Sequence, residues 1–370
     1  VAKIWAVLPE ARIVGGAVRD ALSGRAISDI DFASPLPPEA VMARCQAAGI
    51  KTVPTGLSHG TVTAVVGGAG FEITTLRRDV ATDGRHAEVA FTDDWQQDAA
   101  RRDFTINAMF CARDGEITDY FGGQDDLAAG RVRFVGDAAA RIEEDFLRIF
   151  RFFRFWARYG GGAPDAAAVA AITALRDGVL NLSVERMWRE IKYILQADEP
   201  LASVRLMAAT GVLGLLFAAD VERLAWLLAR GAPADVMLRM AALLAEDAAG
   251  FAERFKLSGE EAAMLVALQG GCPLTPAADD AELRRALADE GADTLVQKTW
   301  LLPGDWADVR ARIFATERPV FPLQGRDLLA LGLPPGPDMG RILDAVRAWW
   351  MAGGCVADVS VCLEEVRRFL

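Results

Sequence analysis

Histidine is nearly missing from this chain of 370 residues, which holds only His59 and His86. Two imidazoles are too few for a histidine-built zinc site or a histidine-rich phosphohydrolase centre. Lysine is scarce as well, with Lys3, Lys51, Lys192, Lys256 and Lys298 against 40 basic residues in all, so the positive charge is carried by arginine. Five cysteines are an odd number without a Cys-x-x-Cys pair, which fits reduced thiols and a cytoplasmic location. No apolar run reaches membrane-spanning length, and the first residues lack a signal-like apolar segment, so the chain reads as soluble. A net charge of -11 argues against indiscriminate coating of nucleic acid but leaves room for a local basic groove. The arginines cluster at 77–78, 101–102, 131–133 and 148–158, where their planar forks suit phosphate and base recognition.

The length allows two or more domains. Up to about residue 136, short β-rich runs alternate with turns; residues 11–14, 60–66, 71–74 and 117–120 read as strands. Beyond Asp137 helical periodicity prevails, broken at residues 160–164, 199–200, 231–233, 270–276, 303–304 and 333–337 by glycine and proline. The expected fold class is α+β: an N-terminal head with a small mixed β-sheet and flanking helices, followed by an all-α neck, body and tail. The expected domains are 1–136, 137–200 and 201–370. The Trp349-Trp350 pair or the Arg367-Arg368 end could contribute to a nucleic-acid surface, although two tryptophans on a helix are more often core, and neither is singled out as a contact.

Within the head, Gly15-Gly16-Ala17-Val18-Arg19-Asp20 is followed closely by Asp29-Ile30-Asp31. The glycines let a backbone approach a phosphate, Arg19 places a cation on the helix that follows, and the two aspartates offer oxygen ligands to magnesium. If residues 29–32 form a strand, both carboxylates share one face while Ile30 and Phe32 enter the core. Such a set handles a nucleoside triphosphate. Glu72, on the apolar strand 71–74, could complete a carboxylate triad or could simply face solvent. The charged stretch between Leu76 and Phe91 holds too little apolar material for a packed element and is expected to be a mobile loop near the site.

Residues 101–109, RRDFTINAM, are expected at the start of an amphipathic helix. Arg101 and Arg102 could neutralise a triphosphate, Asp103 could cap the helix or bind a ribose hydroxyl, and Asn107 adds an amide. In residues 144–155, EDFLRIFRFFRF, steps of three spread Asp145, Arg148, Arg151 and Arg154 over one half of a helix, with Leu, Ile and Phe on the other. This is either a solvated stripe over a core face or a recognition surface. Cytosine and adenine each present an exocyclic amino donor beside a ring-nitrogen acceptor, which matches a carboxylate next to a guanidinium. Uracil and guanine would leave the same two groups unpaired.

GGAVRD (15–20), SDIDFAS (28–34), FEITTLRRD (71–79), RRDFTINAM, EDFLRIFRFFRF and LSVERMWREI (182–191), in this order, resemble the class II tRNA nucleotidyltransferases and the related bacterial poly(A) polymerases. The resemblance spans residues 10–195. It implies an enzyme that completes the 3′ CCA end of tRNA from CTP and ATP without a template. It further implies that Asp29 and Asp31 hold magnesium, with two ions expected, and that Gly16, Arg19 and Arg102 contact the nucleotide. Asp145 and Arg148 would be the base-reading pair, Arg151 and Arg154 would bind the nucleotide close by, and Glu185, Arg186 and Glu190 would be scaffold. The helical body would bind tRNA through shape and phosphates at its acceptor end and elbow.

Residues 51–63, KTVPTGLSHGTVT, look like the tRNA enzymes rather than the polymerases, which usually carry a basic, aromatic stretch there. A poly(A) polymerase, a partial CC-adding or A-adding enzyme, and an inactive RNA-binding relative are the alternatives. A small-molecule nucleotidyltransferase would leave residues 101–109 and 144–155 unexplained.

Overall fold

Alternating apolar positions between residues 12 and 119 assemble one mixed seven-stranded sheet. The computed structural model of the protein describes residues 1–82 and 87–369. In chain order its first elements are α1 (Ala2–Val7), β1 (Arg12–Val14), α2 (Gly16–Leu22), β2 (Asp31–Ser34), α3 (Pro38–Ala47), β3 (Lys51–Gly56), β4 (Thr61–Val66) and β5 (Ala69–Thr75). Then follow β6 (Arg77–Thr82), β7 (Ala87–Phe91), α4 (Trp95–Ala100), β8 (Met109–Cys111) and β9 (Ile117–Asp119). The sheet order is β3-β4-β5-β2-β1-β8-β9, antiparallel except where β2 runs parallel to β5. This is the expected α+β head.

The central strand β2 is covered on both faces. Phe32 packs with Ile4, Leu8, Val41 and Ile73 under α1 and α3, whereas its neighbour Ala33 joins Val14, Leu76, Ala99 and Phe110 on the opposite face. Burying a ring such as Phe32 completely is worth about 1.5–3 kcal/mol. Asp31, one residue earlier, shares the face of Ala33 by alternation and opens the strand at its exposed end. The register Phe32↔Ile73 sets Asp31 beside Glu72 on β5.

Residues 77–91 differ from expectation. β6 and β7 pair antiparallel as a two-stranded ribbon, Arg77↔Phe91 to Thr82↔Ala87, separate from the main sheet. Backbone pairing supplies an element that the sparse apolar content of this stretch did not suggest. Residues 83–86, the remainder of the expected loop, lie outside the described residues.

Helices follow: α5 (Gly123–Ala128), α6 (Ala138–Glu144), α7 (Leu147–Tyr159), α8 (Ala166–Leu175), α9 (Val184–Leu195), α10 (Leu201–Ala209) and α11 (Val212–Leu216). The glycine- and proline-marked breaks read from the sequence fall between consecutive helices, the last of them ending on Pro337, the first residue of the helix Pro337–Ala352. α7 buries Leu147, Ile149, Phe150, Phe152, Phe153, Phe155 and Trp156. Phe104 ties it to the head, with its ring 4.8 Å from Phe134 and 5.2 Å from Phe155.

The chain divides into two units, Val1–Val221 and Glu222–Leu370. The second is helical, with one core around Leu283, Leu287, Trp306 and Ile313 and another around Leu328, Val346, Trp350 and Val366. Trp350 is buried and Trp349 packs against the same core. Among the described residues no helix is long and apolar enough to cross a membrane. All five cysteines carry free thiols.

Candidate active site

A cleft of about 620 Å³ opens in the first unit between the turn at Gly15, the start of β2, the 101–107 segment, α7 and α9. It brings together Gly15, Gly16, Arg19, Asp31, Arg102, Asp103, Asn107, Asp145, Arg148 and Arg151. Asp29 and Arg154 line a second cleft that shares Arg19, Asp31 and Phe155 with the first. Glu72 lines neither.

The glycine turn is built by backbone geometry. Gly15 has φ +69°, a conformation strained for any residue with a Cβ, and a Cβ there would stand 3.4 Å from Arg102 Nη1. Its N–H donates to the Met109 carbonyl at 3.3 Å, so the turn is pinned to β8 as α2 begins.

From α2 a buried polar chain crosses to α7. Arg19 donates from Nε to Asp20 Oδ1 at 3.0 Å and from Nη1 to Asn107 Oδ1 at 2.5 Å. Asn107 Nδ2 donates to Asp103 Oδ1 at 3.0 Å, and Arg151 Nε donates to Asp103 Oδ2 at 2.6 Å. Burial pushes the Asp103 carboxyl up, but Arg151 together with the bonds from Asn107, Arg151 and the Phe104 N–H outweighs it and holds the pKa below the usual range. Asp103 is therefore a clamp between two motifs rather than a helix cap.

Arg101 and Arg102 close the end of α4 instead of opening a helix, and residues 105–107 make a single 3₁₀ turn. The physical reason is Asp98, which is buried and accepts from Arg101 Nε and Arg102 Nη2, both at 2.9 Å. Burial raises the Asp98 pKa, yet the two guanidinium charges and their hydrogen bonds bring it below the ordinary value. Asp98 was not singled out in the sequence, where it looks like any helical surface acid.

The acids behave differently. β2 begins only at Asp31, so Asp29 sits in the extended segment before it rather than on the strand. Ile30 and Phe32 nevertheless pack into one core, as the alternation requires. Surrounding protein raises the Asp31 pKa above the carboxylate norm, and the charges of Glu72 and then Asp29 raise it further, against a partial pull from Arg102. Among the described residues none of these three carboxylates enters an ion pair. Nor is any group of three or more acidic, histidine or cysteine side chains close enough to hold a metal by itself. Asp31 is thus a carboxylate whose charge is opposed by its neighbours, and a cation held by Asp31 and Asp29 would relieve that opposition.

Asp145 lies outside regular helix, between α6 and α7. Its Oδ1 accepts from the Leu147 N–H at 3.0 Å and its Oδ2 from Arg186 Nη2 at 2.7 Å. Arg148 Nη1 donates to Glu144 and, at 2.6 Å, to the Arg141 carbonyl.

Residues 11–133 match the family model "Poly A polymerase head domain", and residues 163–219 match "Probable RNA and SrmB- binding site of polymerase A". The chain is 38% identical to the mitochondrial CCA tRNA nucleotidyltransferase 1 of Danio rerio over 92% of its own length and 83% of that protein's. It is 32% identical to the CCA-adding enzyme of Geobacillus stearothermophilus, covering 91% of this chain and 87% of the relative. The chain belongs to the CCA tRNA nucleotidyltransferase family. The crystal structure of the Bacillus stearothermophilus CCA-adding enzyme in complex with CTP superposes with a TM-score of 0.78 at 29% identity, over 99% of this chain and 96% of that one.

As a nucleotidyltransferase of this family, the chain carries cleft residues that sequence reasoning assigned elsewhere. Arg186, expected as scaffold, lines the cleft and holds Asp145, and exposed Arg189 one turn further on lines it too. The signal was present: Arg186 and Arg189 are three apart on a helix whose Met187, Trp188, Ile191, Ile194 and Leu195 are buried, so both leave the core on the same side. Glu190 is buried and sits 3.2 Å from Arg154, which accords with the scaffold expectation for that residue.

Proposed function

We propose that this nucleotidyltransferase completes the 3′-terminal CCA of tRNA from CTP and ATP, by attack of the RNA 3′ hydroxyl on the α-phosphate with release of pyrophosphate. The observation that carries this reading is a single cleft with exposed Asp31 on one wall and Asp145 with Arg148 on the other. An acid free of ion pairs suits the reacting phosphate; a carboxylate beside a guanidinium suits a base edge.

In this reading the backbone at Gly15 and Gly16 lies along the triphosphate, and Arg19 and Arg102 supply charge to its oxygens. Their own carboxylate partners hold both guanidiniums in place before the nucleotide arrives, so little order is lost on binding. The carboxylate chemistry of Asp29 and Asp31, with Glu72 adjoining, suits magnesium. Bound there, magnesium would make the 3′ hydroxyl a better nucleophile and offset the charge of the leaving pyrophosphate. Asp145 keeps lone pairs beyond those taken by Leu147 and Arg186, which can accept the exocyclic amino group of cytosine or adenine. Arg148 keeps Nη2 to donate to the ring nitrogen, since its contacts with Glu144 and Arg141 use Nη1. UTP and GTP would leave both groups unpaired. We assign residues 1–136 to the catalytic head, 137–200 to a base-reading neck and 201–370 to tRNA binding, and place the protein in the cytoplasm, a reading the five free thiols support.

The test uses purified protein, magnesium and tRNA transcripts ending before CCA, after C and after CC, supplied with CTP and ATP singly and together. All three are expected to end at CCA. Arrest at CC, or extension of the CC end alone, would make it a partial enzyme. Long A tails would make it a poly(A) polymerase, and no addition at all would overturn the catalytic reading.

A further inference from the structure

Arg19 is tethered to its carboxylate through a single oxygen. Its Nε and Nη2 donate at 3.0 and 2.9 Å, and both reach Asp20 Oδ1. A guanidinium that forks onto two carboxylate oxygens has its plane fixed by the pair, whereas one that meets a single oxygen can still swing about it. The plane of Arg19 therefore depends on what else lies against it.

Tyr159, the last residue of α7, acts on that plane twice. Its hydroxyl donates to the same Asp20 Oδ1, from 139 residues further along the chain, and so steadies the oxygen about which Arg19 would turn. Its ring lies against the guanidinium, with the centroid 4.4 Å from Arg19 Cζ, and Phe155 one turn earlier adds a second ring at 5.0 Å. Arg25 and Arg158 also approach the Tyr159 ring, at 5.3 and 5.6 Å, but both are exposed. Arg19 is nearer and buried, where a cation and a ring attract most strongly. Burial raises the Tyr159 pKa, the Arg19 charge opposes that rise, and the bond to Asp20 adds to it, so the pKa stays above the usual phenol value and the hydroxyl keeps the proton it donates.

Held in this way, Arg19 uses three of its five N–H groups, two on Asp20 and one, from Nη1, on Asn107. One N–H on each terminal nitrogen is left, and Arg19 lines the cleft beside Gly15 and Gly16, where the triphosphate is proposed to lie. On that reading of the site, we infer that Tyr159 is a positioning residue for the triphosphate: it sets the plane of Arg19 so that the two remaining N–H groups meet phosphate oxygens with little order lost on binding. Tyr159 itself does not line that cleft and acts only through Arg19 and Asp20.

The test is a double-mutant cycle on CTP binding, measured at equilibrium without RNA for wild type, Tyr159→Phe, Tyr159→Leu, Arg19→Ala and the two double variants. Tyr159→Leu, which loses ring and hydroxyl together, is expected to weaken CTP binding about tenfold, the scale of a desolvated contact between cation and ring. Tyr159→Phe keeps the ring and should weaken it about threefold, the smaller effect of one hydrogen bond. In the Arg19→Ala background both substitutions should change CTP affinity by less than about twofold, which a merely structural role of Tyr159 would not give. At saturating CTP the KM for tRNA in CMP incorporation should stay within about twofold in both Tyr159 variants. Unchanged CTP affinity in Tyr159→Leu, an equal loss with and without Arg19, a matching rise in the KM for tRNA, or CTP affinity that survives Arg19→Ala would overturn this inference and leave CCA addition standing. A wild-type enzyme that binds CTP but incorporates no CMP would overturn the CCA-adding reading, while the cycle still decides the role of Tyr159.

Discussion

The two walls of the cleft manage charge in opposite ways. On the sheet side, Asp29, Asp31 and Glu72 stand in mutual range without an ion pair among the described residues, and burial plus like charge raise the Asp31 pKa. On the helical side the arginines are tethered: Arg102 by Asp98, Arg148 by Glu144, Arg151 by Asp103 and Arg186 by Asp145. A tethered guanidinium is oriented in advance but partly neutralised, whereas an acid without a partner keeps its full charge at some cost to the fold. The sheet wall is thus suited to gain a cation and the helical wall to hold a shaped anion.

Removing an acid separates function from stability most sharply. Asp31→Asn is expected to cut CMP incorporation by about a thousandfold or more, the scale of several kcal/mol of charge stabilisation. Because the raised pKa means that ionised Asp31 opposes folding at neutral pH, the variant should melt at or above the wild-type temperature. Loss of stability with retained activity would erase the contrast between the walls.

On the helical wall the opposite pattern is expected. Asp103→Ala strands Arg151 and breaks the chain to Asn107, so urea unfolding should show a loss of about 3 kcal/mol. Asp145→Asn sharpens the comparison by changing selection more than stability, since asparagine keeps an oxygen for the Leu147 N–H and the partly exposed pair with Arg186 contributes little. Competition between CTP and UTP should lose about a hundredfold of its preference, the scale of a mispaired buried polar contact, with little change in melting.

The smallest effect is in pH. Asp98 and Asp103 have folded pKa values below their unfolded ones, so their contribution is complete above the ordinary carboxylate pKa of about 4 and fades as pH falls through the lowered values. Urea midpoints should fall more steeply below about pH 4 in wild type than in Asp98→Asn. Equal slopes would mean that Asp98 is not the tether of Arg101 and Arg102.

Much of the head was legible because short-range patterns carry it. The Ile30 and Phe32 alternation determined which way the acids point even though the strand begins only at Asp31. The Arg148 to Arg154 spacing foretold an arginine face on α7 but not its division between two clefts, which depends on where β2 and α9 end. Asp98 escaped notice because an acid three and four residues before Arg101 and Arg102 looks like an ordinary surface ion pair until its burial is known. Arg186 carried the spacing of an exposed side chain, but its partner Asp145 lies on another element, and a single sequence shows periodicity within an element far better than contact between elements. The 77–91 ribbon was missed because its backbone pairing needs no apolar face.

The difference between the walls is tested most directly by equilibrium binding of Mn²⁺, followed as loss of the free ion's paramagnetic signal, in the presence of CTP. Wild type and Asp145→Asn are expected to bind the ion alike, and Asp31→Asn to bind it at least about tenfold more weakly. Equal binding by Asp31→Asn, or loss of binding in Asp145→Asn alone, would contradict the assignment of the cation to the sheet wall.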